Sequence, residues 1–216
     1  MIVSHKHEFI FIHVPRTGGS AVREALIPFA GVDPFWHSKE IPQIGPGRHD
    51  MAHILARDWR YFPLLSKNRH FFIFAVKRNP YKRFVSAYFQ GFEFMEKKNR
   101  SFDWLQEDIN ARMPDTLREL RRAGHRVNTI HLVPQTDFIF DGRKCLADIV
   151  IRQESLIEDL KVISSISGIE ISIKKRNVTP LKEQPLILSQ SLVDEINLTY
   201  KDDFSRLAYD RLVFPT

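Results

Sequence analysis

Residues 8–26, EFIFIHVPRTGGSAVREAL, constrain this chain more than any other stretch. The apolar run Phe9-Ile10-Phe11-Ile12 reads as a buried strand. It breaks at Pro15, passes through Thr17-Gly18-Gly19-Ser20, and a helical pattern (Ala21, Val22, Ala25, Leu26) resumes beyond. Strand, glycine loop and helix in this order aim backbone N–H groups and the positive end of a helix dipole at one point. Two adjacent glycines let the backbone close on an anion with no Cβ in the way. Thr17 and Ser20 add hydroxyls, and Arg16 adds a permanent charge with a planar fork of donors. The stretch reads as a cradle for phosphate or sulfate, with a tight turn between strand and helix as the plainer alternative. It is not the nucleotide-triphosphatase loop, which holds four residues between its glycines and places Lys-Ser/Thr after the second.

A second strand, His70–Val76, is continuously apolar, as a central parallel strand buried on both faces should be. It ends in Lys77-Arg78-Asn79-Pro80, and a helix is expected from Tyr81 through Phe84, Val85, Tyr88 and Phe89. Proline at a helix start gives up only an N–H that has no partner there. Shorter strands are expected at 138–140 and 147–151, with a turn at Asp141-Gly142. Helices are expected over 50–61, 154–166 and 192–207. The Pro- and Gly-rich stretch 28–48 reads as an irregular loop, and 95–127 as a polar, helical region. Strands alternating with helices predict an α/β fold with a mostly parallel central sheet flanked by helices. At 216 residues the chain is expected to form a single domain, 1–216.

Open sheets of this kind bind ligands beyond the carboxyl ends of their strands. The second strand delivers Arg78 to the edge that carries the glycine loop, and Ser86 follows about two helical turns later. Arg78 with a hydroxyl suits a phosphate dianion. Two such cradles on neighbouring strands suit a ligand phosphorylated at two separated positions.

These motifs resemble those of sulfotransferases that use 3′-phosphoadenosine 5′-phosphosulfate (PAPS). Pro15-Arg16-Thr17-Gly18-Gly19-Ser20 resembles their 5′-phosphosulfate loop, and RNPYKRFVS (78–86) resembles their 3′-phosphate motif. HLVPQTDF (131–138), RQESL (152–156) and YKDDF (200–204) are similar to segments of the carbohydrate branch, which includes heparan 2-O-sulfotransferase-like members. The resemblance covers about residues 8–210. It implies a P-loop-like three-layer sandwich, PAPS as co-substrate, no metal, and a hydroxyl-bearing acceptor, most naturally a glycan. It assigns Arg16, Thr17, Gly18, Gly19 and Ser20 to the 5′-phosphosulfate and Arg78 and Ser86 to the 3′-phosphate. The basic loop Lys174–Arg176 is a further candidate for closing over the nucleotide, or a solvated charge run. Arg16 stands where many relatives carry lysine, and it can stabilise charge on the leaving phosphate but not donate a proton near neutral pH. Gln153 replaces the usual aromatic before Glu154.

Sulfuryl transfer needs a base for the acceptor hydroxyl, and histidine titrates in the right range. RHDMAHILARDW (48–59) resembles a histidine-bearing segment of related glycan enzymes, which makes His49 the first candidate for general base; the other catalytic candidate is Arg16, for charge on the leaving phosphate. His53 reads as packing or as support behind the site, and His13 is the runner-up. His5 and His7 lack an evident third metal ligand. Arg118, Arg121, Arg122, His125 and Arg126 read as a solvated helix face, with contact to an acidic acceptor as the alternative.

The balance of 32 Lys+Arg against 26 Asp+Glu favours anionic ligands without choosing among them. Aromatics interleaved with basic residues are not evident, which argues against nucleic acid as partner. The single cysteine, Cys145, permits no internal disulfide and is expected to be a small buried apolar residue. No signal-peptide pattern and no run of roughly 20 apolar residues is present, so a cytoplasmic location is expected. Two other functions compete: a catalytically silent anion- or nucleotide-binding module, and a nucleotide-dependent phosphotransferase. The second would need a Mg²⁺-binding acid where Arg78-Asn79 stands.

Overall fold

The computed structural model describes residues 1–30, 38–45, 48–90, 100–124, 127–173 and 185–213. In chain order the elements are β1 (Ile2–Ser4), β2 (Phe9–Ile12), α1 (Gly19–Ala30), β3 (Ser38–Glu40), β4 (Arg48–Asp50), a 3-10 segment (Ala56–Tyr61), α2 (Pro63–Ser66), β5 (Phe72–Lys77) and α3 (Pro80–Tyr88). Then come α4 (Phe102–Ala123), a second 3-10 segment (Val127–Leu132), α5 (Thr136–Ile139), β6 (Phe140–Asp141), β7 (Lys144–Cys145) and β8 (Ile149–Arg152). After a 3-10 turn (Gln153–Ser155) follow α6 (Leu156–Ser167), α7 (Gln190–Thr199) and α8 (Lys201–Arg206). The chain forms two compact units, one of Met1–Arg78 with Gln135–Arg176 and one of Asn79–Pro134 with Asn177–Thr216.

The first unit holds an open four-stranded sheet in the order β1-β2-β5-β8. β2, β5 and β8 run parallel, and β1 pairs antiparallel to β2 at one edge. This is the mixed α/β architecture with a mostly parallel sheet that the alternation predicts. Side chains alternate between the faces of a strand. Phe9, Phe11, Phe74, Val76 and Ile151 form one face and pack with Val22 and Leu26 of α1 and Leu156, Leu160 and Ile163 of α6. Ile10, Ile12, Ile73 and Ala75 alternate with them and are equally buried, which explains why β2 and β5 are apolar without interruption.

Several local expectations are corrected. Helix α1 runs on through Pro28 to Ala30, because a proline in the last turn forgoes only one ladder bond. Within 28–48, Ser38–Glu40 and Arg48–Asp50 pair as an antiparallel hairpin, with Lys39 opposite His49; residues 31–37, 46 and 47 lie outside the described residues. The helix expected over 50–61 is instead the end of β4, a turn and the 3-10 segment. Its expected anchors Met51, Ile54, Leu55 and Trp59 are nonetheless buried. Phe138-Ile139 closes the short helix α5 rather than a strand, and only Phe140 enters the β6–β7 hairpin. Cys145 is exposed, not buried, because it sits in that two-stranded hairpin at the surface. The last expected helix is broken at Tyr200 into α7 and α8.

The second unit is helical. Asn79 caps α3, its side chain accepting from the N–H groups of Tyr81 (3.1 Å) and Lys82 (3.2 Å), with Pro80 at the first helical position. Ser101 caps α4, which ends at Gly124 with φ +75°. Leu105, Ile109, Leu117 and Leu120 give α4 its buried stripe. No helix among the described residues is long and apolar enough to cross a membrane.

Candidate active site

Beyond the last residue of β2 the backbone turns sharply. Arg16 (φ +65°) and Gly18 (φ +85°) both occupy the left-handed region, which for arginine is a strained conformation. Helix α1 then opens at Gly19, and N–H groups in the first turn of a helix lie outside its ladder. Thr17 is buried and donates from Oγ1 to the Val14 carbonyl at 3.0 Å. Its hydroxyl proton is therefore spent on shaping the loop. Ser20 is exposed at the helix start.

The paired glycines answer to packing as well as to any anion. A Cβ on Gly19 would lie 2.2 Å from Cδ2 and 2.6 Å from Nε2 of the buried His13 ring. A Cβ on Gly18 would meet Gln153 Cγ and Leu156 Cδ2, each at 3.3 Å. The loop is thus pressed between the end of its own strand and the start of α6.

Arg78 follows Lys77 at the carboxyl end of β5, the neighbour of β2. Its Nη1 donates to the Arg16 carbonyl at 3.1 Å, so the structure brings two of the expected anion-binding elements together on one sheet edge. The Arg78 backbone is held on both sides by one side chain. Gln135 Oε1 accepts from its N–H and Gln135 Nε2 donates to its carbonyl, both at 2.8 Å. On the adjacent strand Arg152 lies opposite Lys77 in register. Burial first, and then the charge of Arg152, hold the Lys77 ammonium below its usual range, against opposition from Glu154 and Asp159.

Two histidines of this unit are fixed by carbonyl groups. His49 Nε2 lies 3.2 Å from the Gly45 carbonyl, and His53 Nδ1 lies 2.8 Å from the His13 carbonyl. A carbonyl only accepts, so in the neutral rings those nitrogens carry the hydrogen. Nδ1 of His49 and Nε2 of His53 are left as the basic atoms. The His53 ring also packs on His13, with centroids 4.5 Å apart. His53, expected to pack or to support the site from behind, is the histidine bonded to the residue that abuts the glycine loop. The Asp58 carboxyl is pushed up by burial, while Arg57, His49 and Arg60 pull it down. His5 and His7 pack edge-on against Phe71 and Phe29.

In the second unit, Ser86 is buried on α3. On the same helix, sequence reading passed over Arg83. Fully buried, Arg83 donates from Nη2 to the carbonyls of His131, at 3.1 Å, and Val133, and lies over the Tyr200 ring. Tyr200 donates to the Leu132 carbonyl at 2.8 Å, and burial pushes its phenol up. One arginine and one tyrosine therefore latch three successive carbonyls. The only sequence signal was a charged residue inside the resembling motif with no phosphate assigned to it. The arginines of α4 are ion-paired: Arg112 with Asp108, Arg118 with Asp115, Arg121 with Glu195, and Arg122 with Glu119. His125 and Arg126, and the basic loop Lys174–Arg176, lie outside the described residues.

The sequence model of the Sulfotransferase family matches residues 1–210. Neither a curated protein nor a solved structure matches the chain. A match over nearly the whole length, on a fold with a mostly parallel sheet and its glycine loop at the carboxyl edge, places the chain: it belongs to the sulfotransferase family.

Proposed function

We propose that the protein transfers the sulfuryl group of PAPS to a hydroxyl of a carbohydrate acceptor, in line and with a histidine as base. The observation that carries this reading is the bond from Arg78 to the Arg16 carbonyl, which brings the two segments expected to bind anions to one sheet edge. PAPS would supply the sulfuryl group and leave as adenosine 3′,5′-bisphosphate. The loop suits its 5′ end: left-handed Arg16 and Gly18, the first turn of α1, and the exposed hydroxyl of Ser20 are what an anion at a helix N-terminus needs. In this reading Arg16, Thr17, Gly18, Gly19 and Ser20 hold the 5′-phosphosulfate, Thr17 through its backbone. Arg78 holds the 3′-phosphate, to which the resemblance also assigns Ser86.

The roles of the chain's own groups follow from their chemistry. Arg16 stabilises charge gathering on the leaving phosphate and stays protonated throughout. His49 takes the acceptor proton at Nδ1, the atom that its bond to Gly45 leaves basic. The reading calls on no metal and keeps the cytoplasmic location expected from the sequence. His53 is the rival base, favoured by its bond to the His13 carbonyl.

The test is incubation with PAPS and a panel of glycans and small alcohols, with chromatographic detection of adenosine 3′,5′-bisphosphate and sulfated product. Sulfated glycan is the expected result. Binding of the bisphosphate without turnover would indicate the silent module, and ATP-dependent phosphorylation would indicate the phosphotransferase.

A further inference from the structure

Gln135 has no role in the reading above, yet its geometry is unusual. It is fully buried and stands at the start of α5, 57 residues from Arg78 in sequence. Its amide spans the Arg78 peptide units, accepting from the N–H and donating to the carbonyl, each at 2.8 Å. A side-chain amide that makes both bonds to one residue imitates a strand partner. It continues the sheet ladder for one residue past Lys77, where β5 ends. Arg78 is the first residue beyond the strand, where two soft backbone dihedrals decide how far its guanidinium is spread. Held by Gln135, it has a fixed origin from which Nη1 reaches the Arg16 carbonyl.

We propose that Gln135 is a positioning residue for nucleotide recognition: it fixes the Arg78 backbone so that the guanidinium is set for the 3′-phosphate of the donor. This rests on the donor-site reading above. Gln135 need not touch the nucleotide; it acts through Arg78. It thereby sets the preference for a 3′,5′-bisphosphate over a nucleotide with a 5′-phosphate alone.

The test is calorimetric titration of the full chain with adenosine 3′,5′-bisphosphate and with 5′-AMP, on wild type, Gln135→Met and Gln135→Glu. Hydrogen exchange at the Arg78 amide is followed in parallel. Methionine keeps the volume and removes both bonds. Glutamate keeps an acceptor for the Arg78 N–H and turns the donor facing its carbonyl into a second acceptor. Wild type should prefer the bisphosphate. Gln135→Met should lose about 10- to 100-fold of that preference, the scale on which outer-shell partners and small misplacements act. Its 5′-AMP affinity should hold while the Arg78 amide loses protection. Gln135→Glu should keep the amide protected and lose part of the preference, an ordering that simple loss of packing would not produce. Should Gln135→Met not fold, the isosteric glutamate variant decides alone. A wild type that prefers the bisphosphate, with variants that prefer it equally, overturns this inference and leaves the donor-site reading standing. A wild type without the preference overturns the donor-site reading, and this inference with it.

Discussion

Arg78 donates from Nη1 to the carbonyl oxygen of Arg16 at 3.1 Å, joining the residue beyond β5 to the middle of the glycine loop. The bond uses a backbone acceptor of Arg16 and leaves the Arg16 guanidinium out of it. Two permanent cations are therefore carried by one short stretch of backbone. The bond sets the two halves of the proposed donor site side by side.

Gly19→Ala should disable the loop. The new Cβ would sit 2.2 Å from the His13 ring, which is itself buried against Phe11. Overpacking of this kind costs about 1–3 kcal/mol, and here it also displaces the first residue of α1. Urea denaturation and nucleotide titration should show loss of both stability and binding. His13→Ala in the same chain removes the clashing atoms and should recover part of the stability, a coupling that a double-mutant cycle measures. Additive losses would contradict the clash.

Arg83→Met should destabilise the helical unit by about 2–4 kcal/mol, because it strips a charged donor from the buried Val133 carbonyl and the part-buried His131 carbonyl. Arg83→Lys keeps the charge but not the fork, so it should recover only part of the loss. A fully stable Arg83→Met in urea denaturation would show that the latch contributes little.

Lys77 sets a pH dependence. Its folded-state pKa lies below its unfolded value, mainly through burial and then through Arg152. The unfolded chain then binds more protons between the lowered folded value and the ordinary value of about 10.4, so stability rises with pH across that window. Measured against Lys77→Met, wild type should gain stability as pH climbs toward the ordinary lysine value. A difference that is flat, or that falls, would reverse the assignment.

The base is separable by kinetics. His49→Gln should lower kcat by about 10²–10⁴-fold and remove the acidic limb of the pH profile, as loss of a general base does. His53→Gln should change KM and stability but keep the limb. The opposite pattern would transfer the role to His53, whose Nε2 its bond to the His13 carbonyl leaves basic.

How far the sequence disclosed this structure depends on the range of the interaction. Strands β2 and β5 were legible because burial on both faces leaves an unbroken apolar run, and the Pro80 helix start because its local chemistry is explicit. Phe138-Ile139-Phe140 was not, since three apolar residues fit a helix turn as well as a strand. The β3–β4 hairpin was hidden because it lies in a stretch whose prolines and glycines signal irregularity. At the site, the loop and Arg78 were visible as motifs. The bonds that fix them were not: Gln135 acts across 57 residues and His53 across 40, and no local pattern records such pairings. The need for Gly19 was read as room for an anion, whereas the structure shows His13 requiring it too.

The most direct test of the central claim is calorimetric titration with adenosine 3′,5′-bisphosphate, 5′-AMP and ATP, on wild type and Arg78→Ala. The account predicts a strong preference for the bisphosphate in wild type and its loss in the variant, with 5′-AMP binding little changed. Equal or tighter binding of ATP by wild type, or a preference that survives Arg78→Ala, would contradict it.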